Sequence, residues 1–155
     1  MTKKRVLFLC TGNSARSQMA EGIVNHYLGQ SWQAFSAGVN PAGAVHPLAI
    51  AVMAEIGIDL TEHRSKSAEE FRYSAFDLVV TVCDHAARHC PTWLGAGEII
   101  HLGFPDPAAA EGGSAAKMQI FRQVRDAIHR EIVMLLTDWD RQSQPQPFAF
   151  VAEFA

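Results

Sequence analysis

The stretch VLFLCTGNSARSQMAEG, residues 6–22, gives the clearest indication of the fold class in this sequence. It opens with apolar, β-prone residues that predict a short buried strand over residues 5–9. Small or polar residues follow Cys10, and apolar positions then recur at helical spacing, which predicts a helix over residues 17–28. A strand that ends on a cysteine and leads into a helix puts the thiol at the carboxyl edge of a sheet. Open α/β sheets bind their ligands at that edge.

The segment between this strand and this helix has the composition of an anion-binding loop. Its residues are small or tolerate unusual backbone angles: Thr11, Gly12, Asn13, Ser14 and Ala15. Such a loop can point successive N–H groups inward, and the helix behind it adds the positive end of its dipole. A thiol at Cys10 is therefore expected to be largely ionised, and Arg16 can grip two oxygens of a tetrahedral anion. These features predict a thiolate nucleophile beneath a bound, phosphate-like oxyanion.

The alternation of strand and helix continues along the chain. Further segments have the character of buried strands: residues 32–38, 76–82 and 98–102. Others have helical periodicity: residues 47–56 and 115–139. This order predicts an α/β fold, a single domain with a doubly wound parallel sheet flanked by helices, over residues 1–140.

Composition limits the class of protein further. The chain of 155 residues has a net charge of −3, which gives no sign of a nucleic-acid or membrane-surface partner. No apolar run approaches the roughly 18 residues needed to span a bilayer. The 3 cysteines fit poorly with a secreted disulfide framework, so a cytoplasmic protein is expected. No cofactor is predicted.

The last segment, residues 141–155, differs from the rest of the chain. It is polar and contains proline before it turns apolar, with Phe148, Phe150, Val151 and Phe154. The favoured interpretation is that these side chains pack on the protein's own surface. The alternative is that they form a homodimer contact, since exposed apolar patches tend to mark interfaces.

The motifs CTGNSARS and QMAEG, followed much later by FPDP, resemble those of the low-molecular-weight protein tyrosine phosphatase superfamily. The resemblance extends to about Asp140. It implies a low-molecular-weight phosphatase-like fold, with Cys10 as the nucleophile and Arg16 as the anion-binding side chain. It also implies that Asp106 is a mobile acid or base, a role that fits the need for a proton shuttle beside the nucleophile.

Two further cysteines, Cys83 and Cys90 in TVCDHAARHCPTW, resemble a pair carried by the thioredoxin-coupled arsenate reductases of this superfamily. The resemblance implies a relay in which Cys10 attacks arsenate, Cys83 attacks Cys10 as arsenite leaves, and Cys90 then attacks Cys83. Thioredoxin or a similar dithiol protein would reduce the final disulfide. Phosphate or sulfate is expected to occupy the same site, because both share the shape and charge of arsenate.

Two other functions remain open. Under the first, Cys83 is a buried structural residue, Cys90 is incidental, and the protein is a tyrosine phosphatase. The segment AAAEGG after Asp106 argues against this, since the phosphatases tend to have aromatic residues there. Under the second, the protein is a regulator that binds an oxyanion, or a metal through Cys83, Cys90 and the histidines His85 and His89, without turnover. His85 and His89, four residues apart, could share a metal on a helix, but the spacing of the whole cluster is not a familiar zinc pattern, so no metal site is predicted.

The resemblance also implies a layer of residues that supports the loop. Ser17 is expected to bond the thiolate or the backbone. Asn13, Glu21 and Ser36 match positions that help to hold a potassium ion in some reductases. The remaining part of that site would come from HRSKS, residues 63–67, which lacks oxygen ligands suited to a hard cation. We predict that Lys66 takes the place of the cation and pairs with Glu21. The alternative is that Lys66 is a solvated surface charge.

Overall fold

The structure is a computed structural model and describes residues 2–84, 93 and 95–143. Its strands are β1 (Lys4–Cys10), β2 (Trp32–Gly38), β3 (Ala75–Thr81) and β4 (Ala96–His101). Its α-helices are α1 (Arg16–Tyr27), α2 (Pro47–Ala54) and α3 (Ser114–Ser143). Short 3-10 helices lie at Ala68–Phe71 and Pro107–Ala109. No helix in this part of the chain combines the length and apolarity that a membrane span requires.

The strands form one four-stranded sheet in the order β2-β1-β3-β4, and every pair is parallel. The fold class predicted from the sequence is thereby confirmed. The chain moves from β1 outward to β2 and then crosses back to place β3 on the other side of β1. The switch point of the sheet thus lies at the carboxyl end of β1, where Cys10 is paired with Gly38. Ligands of open α/β sheets bind at such switch points.

Alternate residues of β1 point into different hydrophobic clusters on the two faces of the sheet. Val6 and Phe8 pack with side chains from all three α-helices. Leu7 and Leu9 pack on the opposite face, in a cluster that includes Trp93 and is bordered by the 3-10 helix Ala68–Phe71. Because both faces are covered, β1 is buried from Val6 onward, as its unbroken apolar run predicted.

The observed elements lie within a few residues of those predicted. Helix α2 ends at Ala54, two residues before the predicted end at residue 56. A Schellman motif ends it: Ile58 N–H bonds Met53 O at 3.0 Å and Gly57 N–H bonds Ala54 O at 3.0 Å. Gly57 has a φ of 79°, which the motif requires.

The C-terminal helix is longer than predicted. It continues to Ser143, so the predicted domain boundary at residue 140 falls inside it. Residues 144–155 lie outside the described part of the chain. The predicted packing of Phe148, Phe150, Val151 and Phe154, and the predicted dimer contact, therefore stay predictions.

Candidate active site

The loop of residues 11–15 is held in place by neighbouring backbone. Ala42 N–H bonds Gly12 O at 2.9 Å, and His46 N–H bonds Ser14 O at 2.8 Å. Ser65 Oγ also donates to Gly12 O at 2.9 Å. These bonds fix the loop from segments that follow β2 and α2, so its shape depends on tertiary structure as well as on its own residues.

Gly38 allows the loop to lie against the end of β2. A Cβ atom at this position would lie 2.5 Å from Thr11 O and 3.0 Å from Asn13 N. Both are backbone atoms that cannot turn aside. A residue with a side chain at Gly38 would therefore force the loop away from the sheet.

The loop, Cys10, Arg16, Asp106 and Ala108 line one cavity of about 200 Å³. The structure thus brings together Cys10, Arg16 and Asp106, the residues predicted to be the nucleophile, the anion-binding side chain and the acid or base. A cavity of this volume is large enough for a tetrahedral oxyanion. Ala108 stands in the wall directly after the Asp-Pro pair and offers only a methyl group to a bound molecule.

The Cys10 thiol is buried and has hydrogen-bond partners on the loop side. Its sulfur lies 2.8 Å from Ser17 Oγ and accepts from Asn13 N–H at 3.2 Å. Asn13 Nδ2 donates to Ser17 Oγ at 2.8 Å, which leaves the Ser17 hydroxyl hydrogen available for a Cys10 thiolate. Hydrogen bonds to the sulfur stabilise the thiolate, the nucleophilic form.

Two neighbouring groups orient the Arg16 guanidinium. Its Nη1 donates to Phe104 O at 3.2 Å, and its Nη2 lies 3.9 Å from Asp106 Oδ2. The Asp106 carboxylate accepts from Ala108 N–H at 3.0 Å and so caps the 3-10 helix Pro107–Ala109. Its side chain is 43% exposed, so it can exchange protons with water while it faces the cavity.

Below the loop, Glu21 is contacted by three residues from two other segments. Its Oε1 accepts from Ser36 Oγ at 3.2 Å and lies 3.6 Å from Lys66 Nζ. Its Oε2 lies 2.9 Å from His63 Nδ1. The Lys66 side chain is only 11% exposed, which a solvated surface lysine would not be. The role of Lys66 as a substitute for a cation stays a prediction.

Gln18 and His63 belong to the same layer and were missed in the sequence analysis. Gln18 is fully buried and contacts both Asn13 and His63. The available signal was the position of Gln18 in the first turn of α1, directly after Ser17 and close to Glu21, which the sequence analysis did name. His63 lies in HRSKS, which was considered only for cation ligands.

Cys83 lies at the same sheet edge as Cys10. Leu9 pairs with Thr81, and Val82 N–H bonds Leu9 O at 2.9 Å, so the chain runs alongside β1 up to Cys83. Cys83 is fully buried. Cys90, His85 and His89 lie outside the described residues. Across residues 2–84, 93 and 95–143, no group of three or more metal-binding side chains is found.

The sequence matches the low molecular weight phosphotyrosine protein phosphatase family over residues 5–145. This chain belongs to that family. An arsenate reductase from Halalkalibacterium halodurans is 49% identical over 132 residues, which cover 85% of this chain and 94% of the relative. An arsenate reductase from Bacillus subtilis is 44% identical over 128 residues, 83% of this chain and 91% of the relative.

Solved structures of this phosphatase family have the same fold. An arsenate reductase in its reduced state superposes with a TM-score of 0.70 and 31% identity, over 87% of this chain and 98% of that one. A low molecular weight protein tyrosine phosphatase from T. tengcongensis gives a TM-score of 0.68 and 28% identity, over 88% of this chain and 99% of that one. The fold is therefore common to both activities, and the residues around the cavity must distinguish them.

Proposed function

We propose that this protein reduces arsenate to arsenite through a relay of Cys10, Cys83 and Cys90. The observation that carries the proposal is the Cys10 thiol in an oxyanion-sized cavity with Arg16 and Asp106. The relatives named as arsenate reductases, at 49% and 44% identity, support reduction of arsenate as the activity. The position of Cys83 supports the relay. Leu9 pairs with Thr81 in the sheet, so Cys83, two residues after Thr81, lies at the same sheet edge as Cys10.

In the first step, arsenate binds with its oxygens on the loop N–H groups and on Arg16. The Cys10 thiolate attacks arsenic, and a sulfur–arsenic bond forms as one arsenate oxygen leaves as water. Asp106 delivers the proton to that oxygen, because its carboxyl group is in the cavity wall and open to solvent. Arsenic remains pentavalent in this adduct.

In the second step, the Cys83 thiolate attacks the Cys10 sulfur. A Cys10–Cys83 disulfide forms, the sulfur–arsenic bond breaks, and its electron pair stays on arsenic, which leaves as trivalent arsenite. In the third step, Cys90 attacks Cys83 and releases Cys10 as a thiolate. An external dithiol protein of the thioredoxin type then supplies two electrons to the Cys83–Cys90 disulfide.

A phosphatase activity is the second candidate, and the same loop and Asp106 would serve it. The structural likeness to the T. tengcongensis phosphatase favours it. Ala108 argues against it, because the cavity wall at that position has no aromatic ring to stack on a phosphotyrosine. An oxyanion-binding regulator without turnover is the non-enzymatic alternative.

Thiol counting by mass spectrometry tests the proposal. The fully reduced protein is mixed with arsenate and no reductant. Loss of two thiols, a linked peptide containing Cys83 and Cys90, and one arsenite per protein are expected. Three free thiols after long incubation would rule out the reductase.

The matched variant is Cys83→Ser, which should form no disulfide and release no arsenite. If this variant instead hydrolyses an aryl phosphate as rapidly as the unaltered protein does, and neither yields arsenite, the phosphatase becomes the better conclusion.

A further inference from the structure

Gln18 is a buried amide whose hydrogen-bonding groups are all engaged. Its side chain has no exposure to solvent. Its Nε2 donates to Asn13 Oδ1 at 2.9 Å and to Arg64 O at 2.8 Å, with Asn13 O at 3.3 Å. Its Oε1 lies 3.0 Å from His63 Nδ1. An amide in this position, directly after Ser17, is placed to act on the nucleophile through its neighbours.

The orientation of the Gln18 amide follows from its partners. Nε2 faces only oxygen acceptors, so it cannot be exchanged with Oε1 without losing each of those bonds. Oε1 must then accept, and His63 Nδ1 must carry the hydrogen. The same nitrogen lies 2.9 Å from a second acceptor, Glu21 Oε2. This contact also requires that His63 Nδ1 carry the hydrogen.

The Gln18 amide in turn fixes the Asn13 amide. Asn13 Oδ1 accepts from Gln18 Nε2 and from Lys66 N–H, the latter at 3.0 Å. Asn13 Nδ2 is therefore the group that faces Ser17 Oγ, at 2.8 Å. Ser17 Oγ accepts this bond, and because a Cys10 thiolate can only accept, the Ser17 hydrogen then points to the sulfur, 2.8 Å away.

We propose that Gln18 is a positioning residue that sets the direction of the hydrogen bond between Ser17 and Cys10. The inference rests on Cys10 as the nucleophile of the proposed function. Without Gln18, only Lys66 N–H still donates to Asn13 Oδ1, so a turn of the Asn13 amide that puts Oδ1 toward Ser17 costs one hydrogen bond instead of two. The Ser17 hydrogen would then point to Asn13, and its oxygen lone pairs would face the sulfur and disfavour the thiolate.

The test is the pH dependence of Cys10 alkylation by iodoacetamide, with the modified peptide identified by mass spectrometry. Gln18→Met keeps the volume and removes every hydrogen bond of the amide. The midpoint of the pH–rate profile is expected to rise by about one unit, which means about tenfold slower alkylation on its acid side. Gln18→Leu serves the same purpose if the methionine variant does not fold.

Asn25→Leu is the matched control. Asn25 is an amide on the same helix that bonds Ala34 N and O at 2.9 and 3.1 Å, away from the loop. This variant should lose stability without a change in the Cys10 profile. If Gln18 had only a structural role, Gln18→Met would likewise lower stability and leave the pH–rate profile of Cys10 unchanged.

A double variant tests whether the effect of Gln18 on Cys10 passes through Ser17. In a Ser17→Ala background, Gln18→Met should leave the profile where Ser17→Ala alone puts it, because the effect acts through Ser17. A folded Gln18→Met protein with the unaltered profile would overturn the inference. So would a full additional shift in the Ser17→Ala background. Alkylation needs no arsenate, so a failure of the proposed function would appear separately, as an absence of disulfide after arsenate is added.

Discussion

At the residue scale, Asn13 joins the backbone of the loop to the nucleophile. Its φ of 48° is the left-handed conformation that asparagine tolerates better than most residues. Its N–H bonds the Cys10 sulfur, and its amide bonds Ser17, Gln18 and the Lys66 backbone. A single residue thus provides both the turn of the loop and the hydrogen bonds that orient the thiol.

Lys66 can be tested as the substitute for a cation. Its Nζ lies 3.5 Å from Ser36 Oγ, 3.4 Å from Arg64 O and 3.6 Å from Glu21 Oε1. We predict that arsenate reduction by the unaltered protein does not respond to potassium. Lys66→Asp should lose activity about tenfold in sodium buffer and regain most of it in potassium, since a cation restores the missing charge.

Steady-state rates in sodium and in potassium chloride at equal ionic strength check this prediction. Arg64→Ala is the control, because the Arg64 side chain is 65% exposed and pairs with Glu70 rather than with Glu21. A potassium response in the unaltered protein would contradict the assignment.

Asp106→Asn tests the proton donor. The variant keeps the cap on Ala108 N–H but cannot deliver a proton, so the single-turnover rate of arsenite release should fall by about 10² to 10⁴. Binding of phosphate, measured by calorimetry, should change little, because the loop and Arg16 provide the contacts. Equal losses in binding and in rate would instead assign Asp106 to anion binding.

At the element scale, the contact between the end of β2 and the loop depends on Gly38. In Gly38→Ala, the new Cβ would approach Thr11 O to 2.5 Å, so either the loop or the strand must move. We predict at least tenfold weaker phosphate binding and a lower melting temperature. Gly113→Ala is the control, because a Cβ there would meet nothing within 4 Å, and both properties should be retained.

Helices α2 and α3 are joined by Glu55, which accepts from Arg122 Nη2 and from Arg125 Nη1, each at 2.8 Å. The hydrogen bonds from Arg122, and then those from Arg125, hold the pKa of Glu55 below its usual value. A carboxyl group with a lower pKa in the folded state stabilises the fold at neutral pH. That stability is lost as the pH falls from about 4.3, the unfolded value, through the folded one.

We predict that Glu55→Gln lowers the melting temperature at pH 7 and that the two proteins converge as the pH falls below about 4. Melting temperatures from circular dichroism across this range check it. The exposed Glu111 supplies the control, since Glu111→Gln should follow the unaltered protein at every pH. A constant difference between the Glu55→Gln and unaltered proteins would mean that packing, rather than charge, is affected.

At the scale of the whole molecule, the end of α3 packs against the starts of β1 and β2, at the edge of the sheet opposite the cavity. Asp140 on α3 accepts from Trp32 Nε1 at 3.0 Å and pairs with Lys4 on β1. The Trp32 ring is fully buried and meets Trp139 edge-on, with ring centroids 5.4 Å apart. The end of α3 is thus part of the same hydrophobic core as the sheet.

Asp140→Ala should destabilise the protein by about 1–3 kcal/mol, because it leaves a buried indole N–H without its acceptor. Urea unfolding followed by tryptophan fluorescence measures the change. Asp138→Ala removes a pair with the exposed Arg141 and should cost about 0–1 kcal/mol. Equal losses in the two variants would show that the Trp32 bond contributes nothing of its own.

The order of strands and helices and the loop after Cys10 could be predicted from the amino-acid sequence. These depend on short-range physics: apolar runs, helical periodicity, and small residues between a strand and a helix. The same local logic identified Cys10 and Arg16 as one site. Asp106 needed the resemblance as well, since a Pro-Asp-Pro on its own is more often a plain turn.

Only the tertiary structure showed that Gln18 and His63 lie beneath the loop, beside Glu21, Ser36 and Lys66, which the sequence analysis had named. Gln18 contacts His63 across 45 positions of sequence, and Lys66 reaches Ser36 across 30. No periodicity or local motif encodes such contacts, because they depend on how α1 and the segment after α2 pack against the sheet. The extension of α3 to Ser143 has the same origin, because Trp139 and Asp140 contact Trp32 of the sheet. The end of α2, by contrast, is set by local capping bonds of Gly57 and Ile58.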